Sequence, residues 1–179
     1  YAFKAINLAI HLANGLLVGW FVSLLLHRAL PPMKLSAQTR KWLPVWVAAV
    51  WLVHPIHFVA AMMAVQRMTL LAGMFTLMGL IAYLKALEDD RRKWMWLGLG
   101  WLVCWPLAFL SKETGFLFPI FALVIAIFAK GSAGLPKFHR GSVFALPLLA
   151  VLLVGAGVYW HIGLGWIEAG YAVRSFTLF

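Results

Sequence analysis

Two histidines three residues apart, His54 and His57, stand near the end of a long apolar stretch, and Gln66 and Arg67 follow. Pro55 pushes His54 away from helical backbone and suits the first turn of a new helix, so a helix could end at His54. The alternative geometry is one kinked helix over 42–66. Two imidazoles, an amide and a guanidinium could bind an anion, and the fork of Arg67 suits a phosphate. Two other interpretations stay open. The histidines could cap a broken helix while Arg67 extends to lipid headgroups, or they could bind a metal, although no Asp or Cys close in sequence adds a third ligand.

Lys112 and Glu113 form a second cluster, in the short turn 111–115 between two apolar stretches. Charge near hydrocarbon is costly, and ionisable residues there usually mark function. One interpretation is an exposed ion pair in a loop. The other is a contact between Lys112 and a phosphate, with Glu113 orienting the lysine or touching an acceptor.

The first apolar stretch carries a polar stripe on one helical face, because its polar residues are spaced i, i+3, i+7 and i+10. These residues are Lys4, Asn7, His11 and Asn14. In lipid such a stripe must face protein or water, and hydrogen bonds to neighbouring helices are its plainest role. Gly15 and Gly19 on the same stretch would let another helix approach closely.

The amino-acid composition indicates the class of protein in which these residues are positioned. Of 179 residues 64% are hydrophobic and only 11% are charged, and the mean hydropathy is +0.93. These values exclude a disordered chain and a soluble enzyme, and apolar runs of about 20 residues indicate transmembrane helices. The sequence therefore predicts an all-α, polytopic transmembrane helical bundle within 1–179. The six predicted spans cover about 4–26, 42–64, 68–87, 94–110, 116–129 and 143–161.

The distribution of Lys and Arg residues predicts the orientation of the helical bundle in the membrane. Eleven of the 15 Lys and Arg residues fall in one set of loops. The other four, in the alternate set, are Lys4, Arg67, Lys112 and Arg174. Because cytoplasmic loops carry the excess of Lys and Arg, the N-terminus is predicted on the periplasmic or luminal side. The net charge of +10 is thus a sign of topology, and no nucleic-acid partner is expected.

Four motifs in this order resemble a family: the polar stripe within 6–14, the histidine pair with Gln66 and Arg67, the turn 110–114, and the segment 171–179. Together they resemble the GT-C-type polytopic membrane glycosyltransferases of bacteria. Many of these carry C-terminal tetratricopeptide repeats and are related to the transmembrane O-mannosyltransferases. The resemblance covers essentially the whole chain, as a fragment of the membrane domain.

The resemblance implies an inverting transferase. It would move a sugar from a polyprenyl-phosphate carrier, within the membrane lipid, to a hydroxyl on a protein or glycan acceptor. The active face would be periplasmic, at a bacterial inner membrane. The family's catalytic carboxylate usually lies in the first outer loop, which is expected to precede Tyr1, and the repeats are expected beyond this chain.

The candidate site residues have separate roles in this reading. Lys112 and Arg67 would stabilise the leaving phosphate, and a hydrogen-bonding set would hold the phosphate or the acceptor; this set comprises His54, His57 and Gln66. Glu113 is a candidate catalytic base. No cofactor is certain, and a divalent metal stays open.

Two other classes of function compete with the enzyme. A transporter or lipid flippase would share the outer cations, but it usually has polar residues near mid-bilayer in several spans and broken helices in pairs. Only the span 4–26 clearly has such residues, and the span 42–64 is ambiguous. The third class is a membrane scaffold whose soluble repeats do the work. An acidic pair in the outer loop before Tyr1 would favour the enzyme over both.

Overall fold

The computed structural model describes residues 2–29, 35–57, 63, 66–89, 91–131 and 140–163. In these ranges every regular element is helical, which confirms the predicted all-α class for this part of the chain. The elements in chain order are α1 (Ala2–Leu24), a π-helical turn (Leu25–Ala29), α2 (Ala37–Val53), α3 (Arg67–Glu88), α4 (Lys93–Gly98), a π-helical stretch (Leu99–Cys104), α5 (Trp105–Ser111), a 3-10 helix (Glu113–Leu117), α6 (Phe118–Gly131) and α7 (Arg140–Gly163).

Three helical segments within the described ranges are long and apolar enough to cross a membrane. They are Lys4–His27, Arg67–Glu88 and Lys93–Ser111, which coincide with the predicted spans 4–26, 68–87 and 94–110. A helix rises 1.5 Å per residue, so the 22 residues of Arg67–Glu88 extend about 33 Å, close to the hydrocarbon thickness of a bilayer.

The predicted span 42–64 differs most from the structure. α2 covers Ala37–Val53, and His54 follows it in an extended conformation with ψ of 128°. The physical reason is the next residue, because the ring of Pro55 disfavours helical backbone at His54. One continuous kinked helix, the other geometry considered for this segment, is therefore wrong. The part of the predicted span beyond His57 lies outside the described residues, except Met63.

The last two predicted spans, 116–129 and 143–161, fall in shorter apolar helices. These helices cover Glu113–Phe128 and Pro147–Gly157. The first of them begins with a tight 3-10 turn, and regular α-helix starts only at Phe118. α7 as a whole extends from Arg140 to Gly163.

The helical segment Lys93–Ser111 is not a uniform α-helix. Its middle is π-helical, and the N–H of Trp105 donates to the carbonyl of Gly100, five residues back. Pro106 follows directly and has no N–H to donate. We attribute the wide turn to this proline, because a π-bulge lets the helix pass an interrupted hydrogen-bond ladder without stopping.

α1 packs along both α2 and α3. Gly15 is needed for the first contact, because a Cβ there would lie within 2.7 Å of three side-chain atoms of Leu52. The close approach predicted for Gly15 is therefore used within the chain, by α2. The core on the other side of α3 gathers Tyr83 and Leu84 with Phe118 of α6, all almost fully buried.

The helix directions separate the cations between the two ends of the bundle. α1 and α3 run parallel, since Asn7 bonds to Arg67 and Asn14 to the Leu70 carbonyl. Lys112 lies at the end where α3 begins, and Lys85 lies at its other end. Arg174, the last of the four predicted outer cations, lies outside the described residues.

Candidate functional site

Lys112 lies at a sharp junction between α5 and the 3-10 helix. Its backbone is extended, with φ of −162° and ψ of 150°, and the chain then folds back on α5. Gly115 permits this reversal, because a Cβ there would collide with the backbone of Ala108 and Phe109. The junction projects the lysine side chain towards the first turn of α3.

The ammonium group of Lys112 is held by α3. Its Nζ donates to the Thr69 hydroxyl at 2.9 Å, and that hydroxyl donates to the Gln66 side-chain oxygen at 2.8 Å. Thr69 and Gln66 are three residues apart, so their side chains share one face of the helix. This chain of hydrogen bonds joins residues 43 positions apart in the sequence.

Arg67 extends the same group of polar side chains towards α1. Its Nε donates to the Asn7 side-chain oxygen at 3.1 Å, and Asn7 Nδ2 donates to the Met63 carbonyl at 2.9 Å. Asn7 is completely buried. We call the following residues the polar cluster: Asn7, Gln66, Arg67, Thr69 and Lys112.

The remainder of the polar stripe joins α1 to its neighbours. His11 Nε2 donates to the Leu52 carbonyl of α2 at 3.0 Å, and Asn14 Nδ2 donates to the Leu70 carbonyl of α3 at 2.9 Å. The hydrogen bonds between helices that the sequence predicted for this stripe are thus present. Lys4, its first member, is exposed.

The predicted histidine pair lies in a group of rings beside the polar cluster. Trp51 and His57 have ring centroids 4.2 Å apart. His11 stacks on Trp51 at 5.1 Å and also lies 5.7 Å from His57. His54 meets His57 edge-on at 6.1 Å. We call these four residues the aromatic cluster.

His54 also supports the break after α2. Its Nδ1 accepts a hydrogen bond of 3.3 Å from the backbone N–H of Ile56, and its own N–H donates to the Trp51 carbonyl. The capping role considered for the histidines therefore fits His54. Within the described ranges, no three His, Cys, Asp or Glu side chains are grouped to hold a metal ion.

An apolar cavity of about 690 Å³ opens next to these two clusters. It extends along α3 between α1 and α6, from Thr69 and Thr114 at one end to Leu80 and Phe128 at the other. The eleven residue steps from Thr69 to Leu80 correspond to about 16 Å of helix. Trp51 of the aromatic cluster contributes to the wall. The cavity therefore has an almost wholly apolar body, and its polar end lies at the hydroxyl that holds Lys112.

Glu113 stays apart from the polar cluster. It is exposed and takes part in none of the hydrogen bonds described above. The loop ion pair considered for Lys112 and Glu113 is not formed, because the ammonium group lies on Thr69 instead. The structure thus joins Lys112 to Gln66 through Thr69 and bonds the neighbouring Arg67 to Asn7 of α1. It leaves Glu113 on the surface of the same turn as Lys112.

Thr69 is the member of the cluster that sequence reasoning missed. A threonine in an apolar helix is unremarkable by composition, and its role depends on a lysine far away in the chain. Its spacing of three from Gln66 was the available signal, because it places both side chains on one face of a helix.

Comparisons with known proteins found no match to this chain. No family model matches the chain, and neither a curated protein nor a solved structure matches it.

Proposed function

We propose that the protein is a membrane glycosyltransferase, which moves a sugar from a polyprenyl-phosphate carrier to a hydroxyl group of a protein or glycan. The observation that carries the proposal is the position of Lys112. Its ammonium group is bonded to Thr69, and Thr69 forms part of the polar end of the apolar cavity. A cation beside an elongated apolar cavity suits an amphiphile with an anionic head and a hydrocarbon tail.

The polar cluster supports a phosphate as that head. An ammonium group has three donors, and the bond to Thr69 uses one, so Lys112 keeps donors for a ligand. Arg67 adds a second positive charge two residues from Thr69. Arg67 and Lys112 are both partly buried, and cations at such positions interact with a phosphate more strongly than they would in bulk water.

In the proposed reaction, negative charge develops on the phosphate, beside Lys112 and Arg67. An oxygen of the acceptor hydroxyl attacks the anomeric carbon of the sugar, and the bond between that carbon and the phosphate oxygen breaks. The electron pair stays on the phosphate, whose negative charge rises, and the hydroxyl proton passes to a carboxylate base. Lys112 stabilises the transition state more than the ground state, because the charge develops as the bond breaks.

The proposed reaction needs a carboxylate base near the acceptor hydroxyl. The family resemblance points to a carboxylate in the outer loop expected before Tyr1. Within the described residues, Glu113 is the carboxylate nearest in sequence to Lys112, and its exposure leaves it accessible to an acceptor.

The cation pattern supports a periplasmic location for the proposed site. Lys4, Arg67 and Lys112 belong to the smaller set of cations, which the positive-inside rule assigns to the outer face. We therefore propose a bacterial inner-membrane protein whose active face is periplasmic.

The test is sugar transfer in membranes that contain the protein with its natural flanking sequence. A labelled polyprenyl-phosphate sugar is supplied, and wild type is compared with Lys112→Ala and Arg91→Ala. Arg91 is an exposed cation in the turn at the opposite end of α3, so its variant is a control for lost charge. We expect Lys112→Ala to lower transfer about 100-fold, as for a lost charge-stabilising donor, and Arg91→Ala to be unchanged.

Other outcomes would overturn the proposal. Full activity in Lys112→Ala would remove this lysine from the site. No transfer from several sugar donors in folded protein would reject the enzyme, and movement of the intact lipid between leaflets in the same membranes would assign a flippase.

A further inference from the structure

A second groove lies between α1 and α2 and is separate from the proposed active site. It has a volume of about 760 Å³, and small side chains such as Gly19, Ala48 and Ala49 line much of it. Along α1 it extends from Gly15 to His27, which corresponds to about 18 Å of helix. One leaflet contributes about 15 Å of hydrocarbon, so the α1–α2 groove is about as long as a leaflet is thick.

One end of the α1–α2 groove is positively charged. Arg40 and Lys41 line it there together with His27. Both cations lie in the beginning of α2, whose first turn holds no acidic residue. No carboxylate among the described residues forms an ion pair with Arg40 or Lys41; Lys41 lies 5.9 Å from the ring centroid of Trp42.

Two cations near its N-terminus destabilise α2 when no anion is bound there. The N-terminus of a helix carries a partial positive charge, so Lys and Arg are unfavourable there and an anion is favourable. Ser36 caps the backbone N–H of Thr39 at this terminus, but no carboxylate among the described residues neutralises the positive potential of the two cations and the helix terminus. An anionic group of a ligand would neutralise it.

We propose that the α1–α2 groove binds one anionic glycerophospholipid of the membrane. Its headgroup phosphate lies on Arg40 and Lys41, and one acyl chain lies along Gly19 and Ala48. Basic pockets between transmembrane helices bind anionic headgroups in this way, and the length of the groove matches a chain within one leaflet. The proposal does not depend on the proposed transferase function, because the polar cluster takes no part in it.

The test measures which lipid the protein retains. The protein is reconstituted in vesicles of equal parts phosphatidylglycerol and phosphatidylcholine, extracted in mild detergent, and analysed by native mass spectrometry. We expect wild type to retain phosphatidylglycerol in preference to phosphatidylcholine. In the double variant Arg40→Gln/Lys41→Gln, the preference for phosphatidylglycerol should fall by about fivefold for each cation removed. Arg91→Gln/Arg92→Gln is the control, since it removes two exposed cations that do not line the groove.

A second pair of variants tests whether the acyl chain occupies the groove. Ala49→Phe fills it without changing charge, and Ala156→Phe makes the same change at an exposed position of α7. We expect Ala49→Phe to reduce retained phosphatidylglycerol and Ala156→Phe to leave it unchanged. Equal retention of the two lipids by wild type would overturn the proposal, as would an unchanged preference in Arg40→Gln/Lys41→Gln. Equal retention of phosphatidylglycerol by the two phenylalanine variants would show that the headgroup contacts the cations but that the acyl chain does not lie in the groove. This result would also overturn the proposal.

Discussion

At the scale of single residues, the Thr69 hydroxyl links the candidate site together. It accepts a hydrogen bond from Lys112 and donates one to Gln66, so it fixes the ammonium group at the polar end of the apolar cavity. Thr69 is thus a positioning residue, because it acts on the proposed phosphate through Lys112. Asn7 does the same for Arg67 from the side of α1.

Thr69→Val tests this positioning role, because valine keeps the shape of threonine and removes the hydroxyl. We expect transfer to fall about 10-fold or more, as for a lost hydrogen bond to a charged group, and Thr69→Ser to restore it. Ser111→Ala is the control, since Ser111 neighbours Lys112 and, among the described residues, its hydroxyl bonds only to the Leu107 carbonyl. Equal activity in Thr69→Val and wild type would contradict the role of the hydroxyl.

At the scale of elements, the contact between α1 and α2 sets the position of the aromatic cluster. Gly15 brings the helices close enough for His11 to reach the Leu52 carbonyl. Directly after this contact, His54 and Pro55 end α2 and turn the chain towards His57. The break in α2 therefore serves the geometry of the site.

Gly15→Ala tests how much this close contact contributes to stability. We expect a loss of about 1–3 kcal/mol, because the added methyl group overlaps Leu52 and overpacking of this kind outweighs the better helix propensity of alanine. Gly155→Ala in α7 is the matched control, since nothing lies within 4 Å of its added Cβ. Thermal unfolding in detergent measures both variants. A transition temperature for Gly15→Ala at or above that of Gly155→Ala would refute the tight contact.

At the scale of the whole molecule, the surface is unlike that of a protein in water. Large apolar side chains on several helices are mostly exposed, including Leu16 at 77%, Leu102 at 78% and Leu153 at 63%. Monomeric soluble proteins rarely expose apolar surface so widely. Together with the three long apolar helices, these surfaces suit a lipid environment.

Cysteine labelling in intact cells tests the proposed orientation of the molecule. In a Cys104→Ala background, Glu113→Cys and Arg91→Cys place one thiol at each end of α3, both at exposed positions. We expect a membrane-impermeant maleimide to label Glu113→Cys directly and Arg91→Cys only after permeabilisation. The opposite pattern would place the polar cluster in the cytoplasm.

The sequence predicted the long helices well because their apolar runs match the thickness of a bilayer. It also predicted that Lys112 and Arg67 lie at one end of the bundle, since both follow from the alternation of spans. The end of α2 could not be decided, because the His54–Pro55 step allows a break or a kink. Thr69 was missed because its partner is 43 residues away, and such contacts depend on helix packing.

The most direct test of the proposed site uses a polyprenyl phosphate with a photoreactive group in its tail. We expect crosslinks to map to residues of α3 and α6 that line the apolar cavity, such as Leu77 and Phe121. Lys112→Ala should strongly reduce them, and Arg91→Ala should not. Crosslinks confined to the exposed face of α7, or unchanged labelling in Lys112→Ala, would contradict a lipid-phosphate site formed by the polar cluster and this cavity.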